Sequence, residues 1–157
     1  MKKVLFVCLG NICRSPTAEA VFTQYVKKAG LSEFVAVDSA GTGGYHVGEP
    51  PDKRAVKIAA KRGYDLSQLR ARKFEIQDFE LFDTILAMDN SNYSDLYRLA
   101  DAAQRKKLRL FLDYHPDPDW SDVPDPYYGG AEGFEQVLDL CEEASKYLLE
   151  NLRKELR

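Results

Sequence analysis

Cys8 and Arg14 bracket five residues in the segment Cys8-Leu9-Gly10-Asn11-Ile12-Cys13-Arg14-Ser15, which follows an apolar run and precedes Pro16. A thiol and a guanidinium at that spacing, between a strand and a helix, can serve a single anion. Successive N–H groups from Leu9 to Ser15 can converge on it as a nest. Gly10 permits close backbone approach, and Arg14 can take two oxygens at once, which Lys does less well. The following helix turns its positive end toward the loop, where a thiolate is favoured. The segment reads as a phosphate-binding loop in which Cys8 attacks phosphorus and forms a phosphocysteine. The scheme needs no metal.

Such a reaction leaves two proton transfers to assign. The leaving group must gain a proton, and a water must lose one. One carboxyl group can do both in turn. With only 2 His in the chain, Asp or Glu is the sensible source. Asp125-Pro126-Tyr127-Tyr128 is the best candidate, because the proline stiffens the loop and the tyrosines can wall an aromatic substrate. Asp113, Asp117, Asp119 and Asp122 lack that context and read as solvated. His46 and His115 sit in loops without partner ligands, so they read as surface histidines and no metal site is expected. Arg72 and Asp89 read as a structural ion pair. Cys141 falls on the apolar face of the last helix and reads as core, and Trp120 as a loop anchor.

The elements that must position these groups follow from periodicity. Val4 to Val7 is apolar on both faces and predicts a buried parallel strand. Ser15 can cap a helix with Pro16 at its first position, and Ala18 to Ala29 continues at helical spacing to a stop at Gly30. Further strands are expected at Phe34 to Asp38, Thr84 to Ala87 and Leu108 to Leu112. Helices are expected at Asp52 to Arg62, Asn90 to Ala102 and Phe134 to Leu156. Ser39 to Pro51 and Asp113 to Gly133 read as long loops, which in compact domains are often functional. Alternating strands and helices predict an α/β domain with a parallel sheet, binding ligands beyond the carboxyl ends of its strands.

At 157 residues the chain is expected to be one domain able to bury a core unaided. A net charge of −3, from 22 basic and 25 acidic residues, argues against a nucleic-acid partner. The basic clusters Lys53 to Lys61 and Arg70 to Lys73 read as solvated helix faces. Three cysteines do not make a disulfide framework, the run Val4 to Leu9 is too short for a signal peptide, and no stretch is long enough to span a bilayer. The expected location is the cytoplasm, without membrane insertion.

Cys8 to Pro16 resembles the signature of the low-molecular-weight protein tyrosine phosphatases. Asp125-Pro126-Tyr127-Tyr128 resembles their general-acid loop, and Asp38-Ser39-Ala40-Gly41-Thr42 and Met88-Asp89 resemble two further segments in the same order. The resemblance implies a three-layer α/β/α phosphatase domain over residues 1–157, with a four-stranded parallel sheet of order 2-1-3-4. It implies Cys8 as nucleophile, Arg14 as phosphate clamp and Asp125 as acid and then base. Ser15 would donate to the Cys8 sulfur as it leaves, while Asn11 and Ser39 brace the loop. Ile12, Tyr45, Tyr127 and Tyr128 would wall a cleft whose depth suits phosphotyrosine over phosphoserine. Cys13 either packs the loop or pairs reversibly with Cys8 as a redox shield. The implied partners are tyrosine-phosphorylated proteins or peptides, with inorganic phosphate as product and competitive ligand; no cofactor is implied.

Two departures stand out. Relatives usually carry Ser-x-His-x-Ala-Arg, the His joining the network behind the loop; here Leu69 holds that position in Ser67-Gln68-Leu69-Arg70-Ala71-Arg72. A branch acting on phosphoarginine tends to carry Thr where this chain has Ile12, which favours the tyrosine branch. An arsenate reductase of the same fold is the other alternative, but that chemistry needs relay cysteines, and Thr84 to Asn92 contains none.

Overall fold

A strand with no polar face has to be covered on both sides, and Val4-Leu5-Phe6-Val7 is wholly buried. The computed structural model describes all 157 residues. In it, β1 (Lys2–Cys8) pairs in parallel with β2 (Val35–Gly41) on one side and β3 (Thr84–Ala87) on the other. β4 (Leu108–Leu110) pairs in parallel with the far side of β3, giving the expected order 2-1-3-4.

Side chains alternate across a strand, so β1 feeds two separate layers. Val4, Phe6 and Cys8 enter a core shared with α1 (Arg14–Lys28), α2 (Lys53–Lys61) and α6 (Ala131–Leu156). Leu5 and Val7 enter a smaller core with Phe79 of α3 (Asp78–Leu81) and Leu96 of α4 (Asn90–Leu99). Phe6 anchors the larger core, its ring edge-on to Phe22 at 5.9 Å and to Phe111 at 4.9 Å. Each such buried ring contributes about 2 kcal/mol through lost apolar exposure.

Several boundaries differ from the sequence reading. β2 runs on to Gly41, so Ser39 and Ala40 are buried strand residues and not the start of a surface loop. Helix α4 stops at Leu99, because Asp101 opens a separate short helix, α5 (Ala102–Arg105), through a capping box with Gln104. β4 ends at Leu110 and gives way to a 3₁₀ turn, Phe111–Tyr114. Arg70 to Lys73 is not a helix face but extended chain, with Lys73 bridged to Gly41. Helix α1 starts two residues early, at Arg14, capped by Cys13 without a side-chain bond, because the Ser15 hydroxyl turns inward. Pro16 then sits at the third helical position, where its missing N–H still falls among the unpaired first four.

The chain leaves β1 toward β2 and leaves β3 toward β4, so the sheet changes direction between its two central strands. Ligands bind at such switch points, beyond the strands' carboxyl ends. The Cys8 to Arg14 loop and the Met88-Asp89 pair both emerge there. Gly41, aligned with Cys8 in register, lets the end of β2 press against that loop. A Cβ on Gly41 would stand 2.7 Å from the Leu9 carbonyl oxygen and 3.2 Å from the Asn11 nitrogen. Gly41→Ala is therefore expected to lower stability by about 1–3 kcal/mol through overpacking and to weaken phosphate binding. Urea unfolding and phosphate inhibition check this; unchanged values for both would mean that the loop does not depend on the close approach.

Candidate active site

The loop after β1 closes on itself around Asn11, the one non-glycine residue with positive φ, at 58°. Asn tolerates that region better than other side chains. Its backbone N–H points to the Cys8 sulfur at 3.3 Å. Its side-chain amide is buried, and every group on it is used. Oδ1 accepts from the Arg72 N–H at 3.0 Å, while Nδ2 donates to Ser15 Oγ at 2.8 Å and to Ser39 Oγ at 2.9 Å.

These bonds limit the direction of the next one. The Arg72 N–H can only donate, so the amide oxygen must face it and both amide hydrogens go to the hydroxyls. Ser15 Oγ is then an acceptor from Asn11, and its own hydrogen has two acceptors in reach, Cys8 Sγ at 3.0 Å and the Ala40 carbonyl at 3.4 Å, of which the sulfur is the nearer. Ser39 passes its hydrogen on to Glu19 Oε1 at 2.6 Å. Glu19 is one helical turn beyond Ser15 on α1, a spacing visible in the sequence, although the sequence reading does not single it out.

Arg14 is 3% exposed, so it needs a counter-charge. NH1 donates to Asp89 Oδ2 at 2.6 Å and to the Val123 carbonyl at 3.1 Å. NH2 lies 3.7 Å from Asp125 Oδ2. Nε and NH2 thus remain for a ligand. Asp89 also caps α4, accepting from the Asn92 N–H at 2.7 Å. The expected Arg72–Asp89 pair does not form. The two residues lie on opposite sides of β1: Asp89 follows β3, while Arg72 runs beside β2 and binds Asp38 at 3.1 Å and buried Asp78 at 3.0 Å.

Above the loop opens a cavity of about 340 Å³. Cys8, Leu9, Gly10, Ile12, Cys13, Arg14, Tyr45, Asp125, Tyr127 and Tyr128 all line it, so the loop, the carboxylate and the aromatic wall expected from sequence converge. Cys8 is 2% exposed and Tyr128 93%, which separates floor from rim. Tyr127 and Tyr128 meet edge to face at 4.9 Å. Asp125 is about half-exposed, and its Oδ1 accepts from the Tyr127 N–H at 3.1 Å.

His46, read from sequence as an isolated surface residue, also lines the cavity. Its Nδ1 is 2.6 Å from Glu49 Oε2, and a Cβ on Gly10 would meet its ring at 3.0 Å. Gly10 therefore makes room for a neighbouring ring as well as for an anion. Cys13 is buried, and desolvation, reinforced by Asp52, pushes its thiol up to about 12. All three cysteines are free thiols, and Cys141 lies in the core as expected. No group of three or more His, Cys, Asp or Glu converges in a metal-binding cluster.

Glu19 carries a pH signature. Burial pushes its carboxyl up to about 7, the Ser39 hydrogen bond and Arg72 pulling down and Asp38 pushing up. The unfolded chain ionises it near 4.5, so the folded state holds the extra proton between those values. Stability from this group is intact at low pH, falls as pH rises from about 4.5 to 7, and stays reduced above that. Glu19→Gln should raise unfolding free energy at pH 8 by on the order of 2 kcal/mol and by less at pH 5. Urea titrations at both pH values check this; an equal gain at both would mean that Glu19 ionises normally.

Residues 3–157 match the family model described as low molecular weight phosphotyrosine protein phosphatase. The low molecular weight protein-tyrosine-phosphatase of Streptomyces coelicolor is 47% identical over 160 residues, covering 98% of this chain and 95% of that protein. The human low molecular weight phosphotyrosine protein phosphatase is 44% identical over 151 residues, covering 95% and 94%. The crystal structure of a protein tyrosine phosphatase from Entamoeba histolytica, with Hepes in its active site, superposes with a TM-score of 0.96 at 41% identity over the full length of both chains. Matched over nearly its whole length by the family model and in fold by a solved phosphatase, the chain belongs to the low-molecular-weight phosphotyrosine protein phosphatase family.

Proposed function

We propose that this protein hydrolyses phosphotyrosine in proteins through a phosphocysteine on Cys8. The observation that carries the reading is the convergence of Cys8, Arg14 and Asp125 on one aromatic-walled cavity. A phosphoryl group on the loop would accept from its N–H groups and from the free Nε and NH2 of Arg14. Cys8 thiolate attacks phosphorus in line, the P–O bond to the phenol breaks, and Asp125 supplies the phenolate with its proton. Asp125, now a carboxylate, takes a proton from water, whose oxygen attacks phosphorus as the S–P bond breaks. The Ser15 hydroxyl, already aimed at the sulfur, stabilises the departing thiolate. Phosphate leaves, and it competes with substrate for the same loop.

The exposed rim and the buried sulfur support a preference for phosphotyrosine, whose length spans them, over the shorter phosphoserine. Phosphoarginine is not favoured: Ile12 stands where that branch tends to carry Thr, and the matched family model is that of the phosphotyrosine enzymes. Arsenate reduction lacks its relay cysteines. Cys13, beside Cys8 on the cavity wall, is the available partner for a reversible disulfide. No helix is long and apolar enough to cross a membrane, and three free thiols suit a reducing compartment, so we place the single phosphatase domain in the cytoplasm.

Cys8→Ser should abolish turnover of p-nitrophenyl phosphate while phosphate binding persists; substantial residual activity would sink the phosphocysteine route. Asp125→Asn should lower kcat/KM for poor leaving groups by about 10²–10³-fold and for good ones far less. Rates on matched phosphotyrosine, phosphoserine and phosphoarginine peptides test the substrate class, and a faster phosphoarginine reaction would overturn it.

A further inference from the structure

Residues 124–130 contain no helix or strand, yet they carry Asp125 to the cavity. Their own hydrogen bonds are local: the Tyr127 N–H donates to Asp125 Oδ1 at 3.1 Å and the Gly129 N–H to the Pro126 carbonyl at 3.0 Å. Apart from the Gly133 N–H, which donates to the Gly130 carbonyl at 3.1 Å where α6 begins, the hydrogen bonds that reach this stretch from elsewhere come from Arg54, while Arg14 NH2 lies 3.7 Å from Asp125 Oδ2. Arg54 NH2 donates to the Tyr127 carbonyl at 2.9 Å and its NH1 to the Gly129 carbonyl at 3.4 Å. The guanidinium also lies 4.7 Å from the centre of the Phe134 ring and 5.6 Å from that of Tyr127.

Arg54 is itself held. Asp52 accepts from its Nε at 3.0 Å and its NH2 at 2.9 Å, and caps α2 by accepting from its backbone N–H at 2.8 Å. The Asp52 N–H in turn donates to the Ile12 carbonyl at 2.8 Å. The first turn of α2 is thus a platform tied to the nucleophilic loop at one end and to the acid-bearing loop at the other.

We propose that Arg54 is a positioning residue for Asp125, holding the Tyr127 peptide so that its N–H keeps the Asp125 carboxyl aimed at the leaving group. The proposal rests on the reading of Asp125 as general acid. The relay has two bonds, Arg54 to the Tyr127 carbonyl and the Tyr127 N–H to Asp125. It needs the planar fork of arginine, which serves Asp52 and two carbonyls at once where a lysine serves one partner at a time. The basic face of α2 reads as solvent-directed, and Arg54 is the member of it with this second task.

The test is kcat/KM over a series of aryl phosphates with graded leaving-group pKa, for Arg54→Met and Arg54→Lys, each alone and combined with Asp125→Asn. Methionine keeps the apolar stem beside Phe134 and removes the fork. Arg54→Met should slow poor leaving groups about tenfold, a partial loss of the acid's contribution. Good leaving groups and phosphate inhibition should barely change. Arg54→Lys should fall between Met and wild type. The double variants should be no slower than Asp125→Asn alone, because a residue acting through Asp125 has nothing left to position. An equal slowing of good and poor leaving groups, or a full additional loss on top of Asp125→Asn, would overturn the proposal. A flat leaving-group response in Asp125→Asn itself would overturn the acid assignment instead.

Discussion

The side-chain amide of Asn11 holds the nucleophilic loop in a shape that its backbone would not keep alone. A left-handed residue inside a tight anion nest is strained, and here three hydrogen bonds of the buried amide hold it in place. The amide accepts from the Arg72 backbone and donates to Ser15 and Ser39, so it ties the segment beside β2, helix α1 and strand β2 to one point. Much of the rest of the site inherits its geometry from that point. The place of the Ser15 oxygen follows from it, and so does that of the Cys8 sulfur, which accepts from the backbone of Asn11 itself. Gly41 belongs to the same constraint, since only a residue without a Cβ lets β2 come close enough to supply Ser39.

Around this neutral scaffold the charges divide into fixed and free. Arg14 is buried deeply enough that an unpaired guanidinium would cost several kcal/mol. Asp89 answers that cost permanently, because it is also committed to capping α4. Asp125 sits farther away, on an irregular loop and half in solvent. That difference separates a fixed counter-ion from a carboxylate free to face a ligand. Asp89 spends its oxygens on the guanidinium and the helix cap, whereas Asp125, at 3.7 Å from the guanidinium, accepts from one backbone N–H and faces the cavity.

The parts legible in the sequence are those that depend on local pattern. β1, the loop and α1 follow one another without interruption, and their apolar periodicity and turn chemistry agree. The two-sided apolar run of β1 points to a central parallel strand, and Asp125 is distinguished from its neighbouring aspartates by Pro126 and the two tyrosines. Partnerships made across the fold are not legible in that way. Asp89 was assigned to Arg72 because both look structural, yet strand order sends them to opposite sides of β1. His46 was read as solvated because no neighbour in sequence marks it, while its ring packs on Gly10 from a loop beyond β2. Arg54 looks like one more cation on a basic helix, and only the return of the chain past Val123 gives it carbonyls to hold.

Leu69 occupies the position where relatives place a histidine that joins the network behind the loop, yet that network is closed without it. Asn11 Oδ1 is satisfied by a backbone N–H, which no substitution at Leu69 removes. At the other end the chain of donors terminates on Glu19, whose Oε1 accepts the last hydrogen from Ser39. Leu69 instead packs against the larger apolar core. The cost of that arrangement falls on Glu19. It is largely buried, with Arg72 the one cation acting on it, and Arg72 is shared with Asp38 and Asp78. A carboxyl so placed holds its proton up to about neutral pH. The loop's bracing thus closes on a buried acid of α1, with the leucine contributing packing and no hydrogen bond.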